Sequence, residues 1–417
     1  MKSKIVICLI LIMLCLLVNS CQKTKSKFEK GNGTQGSPYV IETFDDLLMI
    51  SDTDKFTFYK LEHDIYNQNN YIIDASLGSL NGVIYGNGYT IYDIIIKNSK
   101  PYSHEDNHNF YAGLFDIMKS GSKISDLKLS NVNIDIQYFG FSHVGALVGY
   151  METDTIVENS EISGIMNVNI SDGSVGGIAG FGETIKTADT KIHMNVTSKL
   201  YSLCVGGIAG TINLLIDHGH SSGEINLNGG NDPMLNYNHH LVGGISGKVY
   251  GDIQESNNSG KITVIVDYWN SSMNISVDGI AGSTCGIIKY CISTGIISLS
   301  SNNIIYAGSL VGISLLDSHV SRSIALTEIV IQKTINEKSS FGSCIGYTLS
   351  KDNVEMLYYS NDLRLYQAVG NFQDNDMHYI ENYPYAYYLC GEKLDYIDEK
   401  FHFHIGELPY IENKILY

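Results

Sequence analysis

The phrase VGGIAG stands at residues 175–180 and again at 205–210, with VGALVG at 144–149 and VGGISG at 242–247. Looser copies follow: VDGIAG at 277–282, AGSLVG at 307–312 and FGSCIG at 341–346, while a truncated forerunner, AGLFD, lies at 112–116. The second residues of these phrases are Gly113, Gly145, Gly176, Gly206, Gly243, Asp278, Gly308 and Gly342, at steps of 32, 31, 30, 37, 35, 30 and 34 residues. Self-similarity at such a period marks a repeat architecture, in which each unit buries its apolar face only by stacking on its neighbours.

Each repeat holds more than the glycine phrase. A second strand-like piece follows about ten residues later, and a third is introduced by a small-residue corner. Ile156-Val157-Glu158-Asn159-Ser160 leads to Ser163-Gly164-Ile165, and residues 217–220 lead to Ser222-Gly223-Glu224-Ile225. Glu255-Ser256 leads to Ser259-Gly260, and Tyr290-Cys291 to Thr294-Gly295. Three strands and three corners per repeat predict one coil of a parallel β-helix, each strand bonded to its counterpart about 4.8 Å along the axis. Seven or eight such coils make a rod of roughly 35 to 40 Å. A propeller blade needs four strands, which these repeats do not supply. Length differences are expected in corner loops such as 228–240, and the repeat at 191–196 lacks its Ser-Gly corner.

The flanks read differently. Lys2 and Lys4 precede an apolar run at 5–18, long enough for a signal-peptide core and short for a bilayer span. Val18-Asn19-Ser20-Cys21 resembles the lipobox of bacterial lipoproteins, which implies a signal peptide at 1–20 and lipid attachment at Cys21. Residues 21–30, with Lys23, Lys25, Lys27 and Lys30, read as a flexible tether. Residues 31–79 read as an N-terminal cap and first strands: Tyr39-Val40-Ile41 as a strand, Thr43 and Asp46 as a capping box, then a short helix with Phe44, Leu47 and Leu48 on one side. Gly86-Asn87-Gly88 supplies a tight corner with positive φ. Residues 80–349 are the repeats, and 350–417 the final coil and an irregular C-terminal cap, with 11 of the 29 tyrosines and no further repeat glycines.

The glycine phrases are similar to the GLUG motif of bacterial cell-surface proteins. The resemblance extends to Gly33-Thr34 with Ser37-Pro38-Tyr39-Val40-Ile41, to Lys60-Leu61-Glu62-His63-Asp64-Ile65, to Tyr85-Gly86-Asn87-Gly88-Tyr89-Thr90-Ile91 and to Gly406-Glu407-Leu408-Pro409-Tyr410-Ile411. It spans roughly residues 31–412 and implies a right-handed parallel β-helix displayed at the cell surface. The copies at Asp278, Ser309 and Ser343 depart from the pattern.

Composition removes several function classes. The chain carries 27 Lys plus Arg against 44 Asp plus Glu, a net charge of −17, which argues against a nucleic-acid partner. Its arginines are Arg322 and Arg364, too few for the forks that grip phosphate or anionic sugars. Of the eight cysteines, Cys204, Cys285, Cys291, Cys344 and Cys390 lie beyond the leader, an odd and scattered set that reads as structural thiols.

Candidate chemistry is sparse. His104-Glu105-Asp106-Asn107-His108 matches H-E-x-x-H, which binds zinc only on a helix that puts both histidines on one face. Here it follows Pro101 between strand-like segments and contains poor helix formers, so it reads as a polar loop, not a metal site. His218 with His220 and His402 with His404 stand two apart, the spacing that puts a strand pair on one face, while His239 and His240 are adjacent. Asp116, Glu158, Glu161, Glu224 and Glu255 are scattered acids; glycoside hydrolysis needs two carboxylates converging at about 5 to 9 Å. No cofactor motif is present. The expectation is an all-β, lipid-anchored envelope protein acting as an adhesin-like binding or structural module, with a glycan or a host or cell-surface protein as ligand. A polysaccharide lyase or glycoside hydrolase on the same fold is the alternative. On this reading, Cys21→Ser shifts the protein from the membrane to the soluble fraction and abolishes incorporation of labelled fatty acid.

Overall fold

Parallel pairing runs unbroken from coil to coil: Ala112 stands opposite Val144, then Val175, Val205, Val242, Val277 and Ala307 in one register. The structure, a computed structural model, describes residues 28–50, 54–98, 109–198, 202–229, 239–266, 274–333, 336–360, 367–371, 380–382 and 401. It is a parallel β-solenoid of about seven turns, 64% strand, with one short α-helix among the described residues. Val, Ile and Leu of every coil fill one continuous interior, and fully buried columns such as Ile124, Val157, Ile185, Ile216, Ile253 and Ile288 run the length of it.

A coil has five strand pieces instead of the predicted three. From Asn274 they are Asn274–Asp278, Ala281–Thr284, Ile287–Lys289, Ile292–Ser293 and Ile296–Ser300. The glycine phrase is one corner. At its fourth residue the carbonyl accepts two backbone N–H groups from the preceding coil: Ile178 O from Leu147 N (3.1 Å) and Val148 N (3.0 Å), Ile208 O from Ile178 N (2.8 Å) and Ala179 N (3.2 Å). The fork repeats at Ile245, Ile280, Leu310, Cys344 and Ala368. The last glycine lets the corner close. A methyl at Gly210 or Gly247 would stand 2.5 Å from the backbone nitrogen of Val175 or Val205. Ala368 and Gly370 therefore form a further, degenerate copy beyond 350, where no repeat glycine was expected; a Cβ on Gly370 would strike the carbonyl of Gly346.

A second corner is built without glycine. Asp126, Asn159, Thr187, His218, Glu255, Tyr290, Arg322 and Met356 all adopt φ between 47° and 55° and occupy one register column. Left-handed backbone at a non-glycine residue costs about 1 kcal/mol or more. The next residue turns inward and recovers part of that cost. The Ser160, Ser256 and Ser323 hydroxyls donate to the carbonyls of Glu158 (3.1 Å), Gln254 (2.7 Å) and Ser321 (2.8 Å). Ser256 and Ser323 also accept the N–H of Gly219 and Cys291 on the preceding coil, each at 3.0 Å.

The N-terminal cap follows the sequence closely. Thr43 caps the helix Phe44–Leu48 in a capping box with Asp46, and Phe44 and Leu47 are buried. Asn87 (φ 54°) and Gly88 (φ 78°) make the expected corner. The tyrosines at 383, 385, 387 and 388, and most of the C-terminal cap, lie outside the described residues.

Asp278 replaces the first glycine of its phrase and is fully buried. One carboxyl oxygen accepts from Gly308 N at 2.5 Å. The other lies 3.5 Å from Ser276 Oγ, whose own proton goes to Gly282 O at 2.5 Å. Burial raises the Asp278 pKa well above the usual carboxylate range. A carboxyl whose folded pKa is raised costs stability as pH climbs above its unfolded value near 4. Asp278→Asn, which keeps both contacts, is expected to raise Tm at pH 7 and to flatten the loss of stability between pH 4 and 7 relative to the parent. Gly210→Ala is expected to cost about 3 kcal/mol or more in urea unfolding, through overlap with backbone that cannot yield.

Candidate functional site

The strand register decides which exterior side chains meet. Most of the acids singled out in the sequence pair with a cation one coil away. Glu158 meets Lys123 (2.5 Å), Glu161 meets Lys128 (3.2 Å), and Glu224 meets both Lys261 (3.1 Å) and His193 (3.0 Å). The hydrogen bond from Lys261, with lesser help from His193, holds the Glu224 carboxyl below its ordinary range. Asp116 accepts from the Ser79 hydroxyl at 3.0 Å. Glu158 and Glu255 do not share a column: Glu158 aligns with Lys186, Asp217 and Gln254, and Glu255 sits one position on, at the left-handed corner.

His218 is the most concentrated of these contacts. Its Nδ1 lies 3.0 Å from Asp217 Oδ1 and its Nε2 3.1 Å from Glu255 Oε2. Donor atoms of the three residues fall within 4.8 Å of one another, a set with one nitrogen and two oxygens. Both ring nitrogens already face a carboxylate, so the imidazole ties one coil to the next as it stands. The spacing argument for His218 with His220 fails because His218 occupies the left-handed turn, which breaks strand alternation. His220 instead lies 3.4 Å from Asp189 Oδ2 and from Ser259 Oγ. His239 is exposed and His240 buried, its Nδ1 accepting from Leu203 N at 3.3 Å. Cys21, His104, Glu105, His108, His402, His404 and Cys390 lie outside the described residues.

An aromatic wall was missed by the sequence reading. Tyr111 and His143 are in-register neighbours, as are Tyr150 and Phe181, and the two columns face each other across the glycine corner. Tyr111 stacks on Tyr150 (centroids 5.3 Å apart) and Tyr150 on Phe181 (5.1 Å). His143 lies beneath, 5.6 Å from Tyr111, with its Nδ1 buried and without a hydrogen-bond partner. Further along, the wall turns polar: Ser174 and Thr211 hydroxyls meet at 2.8 Å. The signal available was positional, since each ring sits just before or just after a glycine phrase. The described cysteines, Cys204, Cys285, Cys291 and Cys344, are free thiols. Burial pushes the Cys204 thiol up and Cys291 up to about 12, which removes the thiolate.

Two clefts mark the N-terminal coils. One, of about 250 Å³, lies between the cap helix and the first coil, walled by Phe44, Tyr66 and Tyr71 and edged by Asp45, Gln68 and Asn69. The other, of about 440 Å³, begins at Tyr92 and runs past Lys128, Glu161, Ser163, Asp189 and Lys191. Tyr66 and Tyr92 stack with centroids 4.6 Å apart and planes within 2°.

No family model and no curated protein matches the chain. Among solved structures, it is similar to a candidate immunoglobulin A1 protease from Bacteroides ovatus, with 17% identity over 83% of this chain and 81% of that one, at a TM-score of 0.38.

Burial holds His143 and His240 neutral, each with its pKa pushed down to about 4. The folded state binds fewer protons than the unfolded chain between that value and about 6.5. Their contribution is whole above pH 6.5 and is lost as pH falls toward 4, by about 3 kcal/mol each at most. Urea midpoints measured from pH 7.5 to 4.5 should fall less steeply for the pair His143→Phe and His240→Asn than for the parent.

Proposed function

We propose that this chain is a binding module of the bacterial cell envelope, tethered by a lipid at Cys21 and related to GLUG-repeat surface proteins. The observation that carries the reading is the use made of the exterior carboxylates. Glu152, Glu158, Glu161, Asp189, Glu224 and Glu255 each face a lysine or histidine of an adjacent coil. Side chains engaged in this way stiffen the rod, and the two that line a cleft, Glu161 and Asp189, are held by Lys128 and His220 instead of standing as a free acid and base. Stiffness suits display: a rod held at one end presents long faces and corner loops to a partner. The ligand classes are a glycan or a protein of a host or neighbouring cell.

The test is binding of the soluble chain from Gln22 onward, which keeps the buried Phe28 and the Lys30–Glu42 pair, to glycan and surface-protein panels, with released products measured on every hit. Binding without turnover is the expected result. A new reducing end or a cleaved protein would overturn the reading and put an enzyme in its place.

A further inference from the structure

We infer that the two N-terminal clefts form one binding site for an uncharged glycan chain, with Tyr66, seated flat on Tyr92, as the ledge on which a sugar ring stacks. The inference rests on the binding-module reading above and names the ligand class and the place.

The surroundings of Tyr66 make the case. Tyr66 pairs in register with Tyr92, lies flat against it, and still keeps 49% of its surface exposed. Tyr71, 37% exposed, stacks on the cap-helix residue Phe44 with planes within 7°, so its ring is fixed by a buried partner. Two planar rings held rigidly at the wall of a cleft about 250 Å³ in volume give apolar faces at little entropic cost. Pyranose rings need such faces for their C–H surfaces, with polar groups around the edge for their hydroxyls. Gln68, Asn69 and Asp45 line that edge, and the Asn69 amide donates to the Tyr71 hydroxyl at 3.3 Å, which orients both.

The second cleft continues from Tyr92 along the axis. Its polar groups repeat from coil to coil: Lys128, Glu161 and Asp189 occupy one register column, and Ser163 and Lys191 an adjacent one. Rungs spaced about 4.8 Å apart approximate the advance of one sugar unit in an extended chain, so successive sugars meet equivalent side chains. Charge selects the class of glycan. The second cleft sets Lys128 and Lys191 against Glu161 and Asp189, with Lys128 paired to Glu161 at 3.2 Å, while the first carries Asp45, Asp64 and a Glu42 tied to Lys30 at 2.6 Å. That balance leaves no surplus of cations for a uronate, sulfate or sialic acid.

The experiment is affinity electrophoresis followed by calorimetry of the soluble chain. The probes are neutral polysaccharides (β-glucan, xylan, mannan) set beside the acidic alginate and heparin. Retardation by at least one neutral glycan and none by the acidic pair is expected. Tyr66→Ala and Tyr92→Ala should each weaken that binding about tenfold or more, about 1.4 kcal/mol, while Tyr66→Phe retains it. Leu316→Ala, at an exposed site on a distant coil, should leave it unchanged, and circular dichroism confirms that each variant is folded. Neutral-glycan binding that survives both alanine variants, binding of acidic glycans alone, or no glycan binding overturns the inference. If a protein from the panel binds instead, the binding-module reading stands and this site assignment falls. If a neutral glycan is cleaved in a Tyr66-dependent way, the site stands and the binding-only reading falls.

Discussion

Everything in this solenoid depends on a carbonyl that serves two amides. At the glycine corner the chain turns inward over its own backbone, and the carbonyl of the fourth residue accepts two N–H groups from the coil before. A corner is where a β-helix is most exposed to the cost of unpaired backbone groups, because the ladder slants away there. The fork removes that cost in each of seven consecutive steps, from Ile178 to Ala368. Only a residue without Cβ fits the last position of the phrase, since the backbone of the preceding strand occupies the space. The repeat is therefore a packing requirement written in sequence, and it propagates: once one corner has this shape, its neighbour needs it too.

The exterior follows from the same register. Stacking coils in parallel brings like positions together, which would be unfavourable for a chain with a net charge of −17 if acids met acids. Instead most acids have a lysine or histidine beside them in the column, as Glu224 has between His193 and Lys261, and where Glu161 and Asp189 do meet, Lys128 and His220 flank the two. Each exposed pair is worth at most about 1 kcal/mol, so their larger effect is on which register is allowed. Where rings replace charges, the columns become the aromatic wall at Tyr111 and Phe181 and the tyrosine ledge at Tyr66 and Tyr92. Function on such a surface is a matter of which columns carry which chemistry, and the fold is indifferent to the choice.

The solenoid was legible in the sequence because the glycine corner tolerates so little. The cap helix was legible because a capping box is local. The left-handed corner was half legible: a polar residue before a small one recurs, as in Asn159-Ser160, Glu255-Ser256 and Tyr290-Cys291, but its occupants are chemically unlike because only their backbone is constrained. That is also why five strand pieces were read as three, and why His218 and His220 were assigned to one face. The phrase ending at Gly370 escaped notice because it keeps one glycine of the usual two or three. The aromatic wall left only a positional trace beside the glycine phrases, and the clefts none, since both join residues about thirty positions apart whose adjacency depends on the exact register.

Native-state hydrogen exchange, resolved by peptide, tests the central role of the forked corner most directly. Amides at 147–148, 178–179, 208–209 and 245–246 should be among the slowest in the protein, exchanging only when the whole solenoid opens. If those amides exchange as quickly as exposed turns while the straight strands between corners stay protected, the corner does not hold the coils together and this account of the fold is wrong.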